Sequence, residues 1–434
     1  MFIILACAMV VLAGWAFLNP FVGLITLLGI NIIQPGELYP NLFGPLHVER
    51  VFVILVFLSF LIHHRRAVFP PPTKGLLFFW GTLLATVPLA FWRGGALMTC
   101  VLFGRIVIYY FLIANLVNTQ RRFRVVLLSL SVFVGWLAAS SAFLYYQGQF
   151  KFTMGIERAV GLTTQSNDAN ALAITLLSTL PLMLLLWFKG SGKTRWIALG
   201  LTFLSLWTLI LTGSRAAFFG LLLVTILFAL TRRLRIVYAL AIVFLAVPVW
   251  LLIPAQYKAR YESVTNLKQD DSYEGRVRAW EAAWAMFKGN PLTGVGAGMF
   301  SEARGATSGH WLNVHSLYMQ LLSETGIIGT VGFAVFVGSI FRQNQRLRRQ
   351  FGRLADRSTW LRFYPVACNF SLIALLITGY SSHSLFRETW YLLAGLSAAA
   401  GSVAAKELRA ADRRQADKAA VDAGSPAELA GVRA

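Results

Sequence analysis

The chain has 434 residues, 57% of them hydrophobic and 13% charged, and its 39 Lys and Arg against 18 Asp and Glu give a formal charge of +21. With a mean hydropathy of +0.64 this composition excludes an ordinary soluble domain, and apolar runs near the ~20 residues needed to cross a bilayer recur along it. Lipid offers the backbone no hydrogen-bond partners, so runs of that length must be helices, and barrel strands would be shorter and alternating. The fold class expected is therefore all-α, a polytopic transmembrane helical bundle.

In chain order, spanning or near-spanning helices are expected at 1–18, 20–33, 50–62, 75–91, 96–118, 124–146, 169–188, 194–211, 215–231, 235–253, 313–341, 362–380 and 388–404. The opening Met1–Leu5 has no basic region and no evident cleavage site, so the first run is read as a retained helix. The first two runs are short and meet at Asn19-Pro20, which leaves a re-entrant hairpin open as an alternative to two spans. Cys7, Cys100 and Cys368 are isolated in apolar segments, with neither metal spacing nor a disulfide framework. No metal or other cofactor is expected.

The excess positive charge sits in short links between apolar runs, at His63–Lys74, Gln120–Arg124, Lys189–Arg195, Thr231–Arg235 and Arg342–Arg362. Such links mark the cytoplasmic side, so the charge points to membrane topology rather than to nucleic acid. If Arg342–Arg362 is inside, then Phe91–Gly95, Gln147–Asp168, Thr212–Arg215 and the long Pro254–Leu312 link all fall outside. The expected organisation is one membrane domain over 1–405, with 254–312 as its large outer, periplasmic link. A cytoplasmic tail over 406–434 follows, Ala-rich and charged, disordered beyond a helical stub. Gly190–Thr194 has the look of a phosphate loop, but Trp187 stands where the pattern needs a glycine and no strand precedes it.

The chemistry-bearing residues gather on the expected outer side. Arg215 follows a Thr212–Ser214 turn in which Ser214 can cap the next helix; it is either a fork for phosphate oxygens or an interfacial anchor. Arg276 and Arg278 are expected to open a helix running to about Phe287, with Val277, Trp280, Trp284 and Phe287 on one apolar stripe. Cations at a helix start oppose its dipole, which favours an external anion over a merely solvated helix end. His315 is expected on the first turn of the helix that re-enters the membrane, as a general base or an interfacial polar group, with Ser316, Tyr318, Gln320 and Glu324 extending a polar patch. Arg105 is an ionisable residue in an apolar span and calls for a cavity or a partner. Arg158 and Asn170 bracket the link before the 169–188 helix, where Ser166, Asn167 and Asp168 are cap candidates.

Taken together, Thr212–Ala217, Gly275–Trp280, Asn290–Gly296 and His315–Tyr318 with Glu324–Gly329 resemble the superfamily of O-antigen ligases and Wzy-type polymerases. The stretches Asn19–Leu24 and Arg158–Ala173 are similar to a subgroup associated with exosortase systems. The resemblance implies an inner-membrane glycosyltransferase that moves a glycan from an undecaprenyl-diphosphate carrier to a glycan, lipid or protein acceptor, inverting and metal-independent. It also implies roles: Arg215 and Arg276, with Arg278 as competitor, hold the donor diphosphate, and His315 activates the acceptor hydroxyl. Arg158, Asn170, Arg105 and Glu324 are supporting candidates. Ligase and polymerase stay open. A transporter or flippase for the same lipid-linked glycan is the alternative of another class, although the paired repeats expected of one are not apparent.

Overall fold

In a computed structural model of the chain, the described residues are 2–64, 67–153, 155–163, 167–230, 250–251, 253–262, 271–353 and 360–423. Among them, six helices are long and apolar enough to cross a membrane: Arg93–Leu116, Gln120–Tyr146, Ala169–Lys189, Lys193–Leu211, Leu317–Gly352 and Trp360–Gly379. Phe2–Leu18, Pro20–Ile33, Val48–His63, Pro71–Thr86, Arg215–Leu230 and Glu388–Ala423 complete the bundle close to the expected places. The chain is a multi-pass helical membrane protein. Most of the expected 235–253 helix, the link Thr231–Arg235 and residues 424–434 lie outside the described residues. The last helix continues to Ala423, well past the expected end at 404.

The first two helices turn at Asn19, whose side chain accepts from the Phe21 and Val22 amides at 3.1 and 3.4 Å and so caps the second helix. With 17 and 14 residues, they are only about 26 and 21 Å long at 1.5 Å per residue. Elsewhere, aromatic rings fill the centre: Phe103 packs edge-on to Tyr391 and Phe79, and Tyr391 stacks on Phe336, joining four helices. In lipid such close packing, rather than water exclusion, holds helices together.

Among the described residues, the basic links share one end of the bundle. Asn115 bonds both the amide and the carbonyl of Val68, at 2.7 and 3.2 Å. Lys406 Nζ donates to Asn118 O at 3.3 Å, Lys189 lies over the Phe363 ring and Arg124 over Trp360. The remaining links meet at the opposite end. There Lys151–Thr153 and Ile156–Arg158 form a two-stranded antiparallel hairpin, which the sequence reading did not expect. The buried Tyr257 hydroxyl lies 2.9 Å from Glu157 O and 3.2 Å from Leu211 O, pinning that hairpin over the end of Lys193–Leu211.

The expected uninterrupted helix over 313–341 is the main departure. Leu317–Gln320 is α-helical, Leu321–Thr325 widens into a π-helical turn, and Gly326 breaks the path with a φ of +58° before the helix resumes to Arg353. Such turns leave carbonyls unmatched within the helix, and here a neighbouring segment uses them. Val295 N donates to Ser323 O at 2.8 Å and Gly296 N to Glu324 O at 2.9 Å, while Ile327 N and Ile328 N donate back to Pro291 O and Leu292 O. The two backbones can approach this closely only because Gly294 and Gly326, both with positive φ, have no Cβ: one added at Gly326 would stand 2.4 Å from Leu292 C and O. Gly326→Ala should therefore strongly reduce folded protein and its midpoint of thermal unfolding in detergent. Gly338→Ala, with nothing within 4 Å of its Cβ, should be neutral or slightly stabilising; equal behaviour of the two variants would contradict this docking.

Candidate active site

The docked segment brings distant parts of the chain around one cavity of 710 Å³, within the ~300–1,000 Å³ range of small-molecule sites. Its walls come from the hairpin, the start of Ala169–Lys189, the Asp271–Gly289 and Phe300–Ser308 helices, the Leu312–His315 segment and the link Ser382–Glu388, with Arg105 from a membrane helix. Six cations, Arg105, Lys151, Arg158, Arg276, Arg304 and Arg387, face two carboxylates, Asp168 and Glu388. A cleft so lined concentrates anions.

Of the residues singled out in the sequence, His315, Arg276, Arg158, Asn170 and Arg105 all line this cavity. Arg158 is buried at 3% exposure; its Nε donates to Thr212 O at 2.7 Å and its Nη2 to Asn170 Oδ1 at 3.0 Å. It therefore ties the hairpin to both the 212 turn and the next helix. Asp168 is the cap of that helix, accepting from Asn170 N at 2.9 Å, and Ser166 lies outside the described residues. Arg105 is bridged at 2.8 Å to Glu49 and at 3.5 Å to Glu388, which gives the half-buried cation its partners.

Arg215 and Arg278 are not among the cavity's lining residues. Arg215 opens its helix, half-buried, behind the turn that Arg158 holds, and Ser214 caps that helix through Ala217 N at 3.5 Å. Arg278 is exposed. The helix bearing Arg276 starts at Asp271 rather than at the arginines, so Arg276 sits on its second turn and the dipole argument loses force. Its buried face runs through Ala279 and Ala283, packed with Phe300 and Val314, while Trp284 is exposed.

His315 precedes the helix instead of lying on its first turn. Ser316 is the cap, accepting from Met319 N at 3.4 Å, and His315 sits just outside with a φ of +48°. Left-handed backbone costs a residue with a Cβ on the order of 1–2 kcal/mol, although His adopts it more often than most; such strain concentrates at functional positions. The turn puts the imidazole against His383, with ring centroids 5.3 Å apart at 74°. Burial pushes the His315 imidazole below its usual value, with Arg276 and Arg304 adding to that effect and Asp168 opposing it. Burial, followed by His315 and Arg387, pushes His383 down to about 4. Both rings are therefore neutral near pH 7, the state in which an imidazole can accept a proton.

Glu324 lies beneath the cavity as a connector. Its Oε2 accepts from Gly298 N at 3.0 Å and Gln320 Nε2 at 3.2 Å, and Gln320 Oε1 accepts from Leu385 N at 3.2 Å. This chain joins the glycine-rich segment, the π turn and the link carrying His383 and Arg387. Sequence reading missed Arg304, His383 and Arg387. The signal available was that Ser381–Glu388 falls between two spans, at the expected outer side, yet holds three ionisable residues. Among the described residues, no three His, Cys, Asp or Glu side chains gather as metal ligands.

Removing the Glu324 acceptor would leave two buried donors unmatched, each costing about 1–3 kcal/mol. Glu324→Ala should unfold at a clearly lower temperature than the parent, with Glu324→Gln between them because one carbonyl oxygen remains. Identical melting of all three would show that the chain does not join these segments.

Residues 200–334 match the family model described as O-antigen ligase. The match takes in Arg215, Arg276, Arg304, His315 and Glu324, and leaves Arg158, Asn170, His383 and Arg387 outside. No curated protein matches the chain. Over that segment, which builds part of the cavity wall, the chain is similar to the O-antigen ligase family.

Proposed function

We propose that the protein is an inner-membrane glycosyltransferase that moves a glycan from an undecaprenyl-diphosphate carrier to an acceptor hydroxyl at the periplasmic end of the bundle. The observation that carries this reading is that Arg276 and the neutral, strained His315 wall the same cation-rich cavity. The acceptor oxygen attacks the anomeric carbon, inverting it in a single displacement. The hydroxyl proton passes to His315, and the bond to the diphosphate breaks with its electron pair leaving on the lipid diphosphate. Fixed cations stabilise the charge growing on that leaving group without reorganising. Arg276 is placed on the diphosphate, and Arg215 where the carrier arrives from the lipid side.

Arg276→Ala should cost about 2–4 kcal/mol of transition-state stabilisation. Arg276→Lys should already be impaired, since lysine keeps the charge but loses the two-pronged geometry. Arg215→Ala should weaken donor binding, while Arg278→Ala should leave transfer unchanged. A folded Arg276→Ala protein with full transfer from lipid-linked glycan would remove the proposed donor site. Products that lengthen on the lipid carrier would mark a polymerase rather than a ligase.

The pH profile supplies an independent check. The groups acting on His315 are Arg276, Arg304, Asp168 and the neighbouring His383. Because the imidazole is held below 6.5, the base stays available at pH 6.5 and activity falls only at more acid pH. Removing Arg276 takes away one group that lowers His315, so the acid limb of residual activity should move to higher pH. An unmoved limb would mean that another group limits the rate.

Orientation follows from the basic links. In a protein without native cysteines, Ser308→Cys in intact spheroplasts should react with a membrane-impermeant thiol reagent and Ser191→Cys should not. The reverse pattern would place the cavity in the cytoplasm.

A further inference from the structure

Four nitrogen atoms of cavity-lining side chains are buried without a hydrogen-bond partner among the described residues: Arg105 Nε, Arg304 Nη1, His383 Nδ1 and Arg387 Nε. Leaving such groups unmatched costs free energy, more when they are charged. Arg304 is only 7% exposed. Arg387 is held from behind, its Nη1 donating to Thr175 Oγ1 at 2.9 Å and Ala171 O at 3.2 Å. Arg387 is thus fixed in place, Arg304 is buried, and both have donor capacity left over. The other cavity arginines differ: the charge of Arg105 is matched by Glu49 and Glu388, and Arg158 bonds Thr212 O and Asn170.

The cations flank one pair of imidazoles: Arg276 and Arg304 act on His315 and Arg387 on His383, and the two rings lie 5.3 Å apart. The cavity, at 710 Å³, is far larger than one phosphate group requires. We propose that Arg304, His383 and Arg387 form a second oxyanion subsite, so that the cavity holds two anionic groups at once, one at Arg276 and one against the Ser382–Glu388 link. The second group is a phosphate or carboxylate carried either by the far phosphate of the donor or by an acidic acceptor. The inference rests on reading the cavity as the donor site. It gives the C-terminal link, outside the family match, a direct part in substrate choice.

The test is calorimetric titration of the full-length protein in a non-ionic maltoside detergent with inorganic phosphate as probe. The parent should bind two phosphates, and Arg276→Gln should keep one, the second subsite's. The Arg304→Gln, Arg387→Gln double variant should lose that subsite, its affinity falling roughly ten- to hundred-fold, as expected for a lost charge-assisted contact. Because Arg387 also braces the Ala169–Lys189 helix, Arg304→Gln is scored by itself too, and all variants are matched for thermal midpoint. Saturating undecaprenyl diphosphate separates the sources: one phosphate still binding means that the acceptor brings the second anion, and none means that the donor spans both. A single phosphate in the parent, or a folded double variant and a folded Arg304→Gln that both bind like the parent, would overturn the subsite. Loss of binding in Arg276→Gln alone tests the donor site separately.

Discussion

The geometry of the site depends on one backbone interaction, the pairing of the glycine-rich Pro291–Gly298 segment with the π-helical turn Leu321–Thr325. An unbroken helix would satisfy its own carbonyls and offer none to a neighbour. Widening at 321–325 and the break at Gly326 free Ser323 O and Glu324 O for Val295 and Gly296. The pairing fixes the outer link on both sides: the Arg276 helix leads into it and the Arg304 helix leads out, and the chain then returns to His315 at the helix mouth. Without it, a link of this length would pay a large ordering entropy to hold two arginines and a histidine around one space.

The electrostatics follow from that docking. Six cations in one cavity repel each other, and the fold tolerates them because Arg105 has two carboxylate partners, Arg158 bonds a carbonyl and an amide, and Asp168 stands among the rest. The histidines respond to the same field. Burial and neighbouring cations keep both neutral, which suits a base and costs nothing in further charge repulsion. Arg387, lowered only to about 10 by burial, keeps its charge. The site thus combines fixed positive charge with a proton acceptor, the pair that departure of an anionic leaving group and attack by a hydroxyl require.

Much of this was legible in the sequence, for identifiable reasons. Helix positions follow from apolar run length, because lipid permits little else, and the grouping of basic links at one end follows from their alternation along the chain. His315 stands out because it opens a polar turn before an apolar helix, and Arg276 because it lies in the longest polar link between apolar runs. The break at 321–325 was not legible, since the polar patch ending at Glu324 and Gly326 reads as the first turns of one continuous helix and only the partner segment explains the turn. The start of the Arg276 helix was placed too late because Asp271–Glu274 has no apolar stripe to announce it. Arg304 and Arg387 escaped notice because each lies in a link, one long and one short, whose folding back over the bundle is a tertiary event. Arg215 and Arg278 show the converse: prominence in sequence does not by itself place a side chain in the cavity.

The most direct test of the central claim is the position of the donor itself. A cryo-electron microscopy structure of the protein with a non-hydrolysable undecaprenyl-diphosphate glycan should show the diphosphate against Arg276 and the anomeric carbon facing the His315 imidazole, with the prenyl chain leaving into lipid. Donor density outside this cavity, or a diphosphate remote from both residues, would contradict the account.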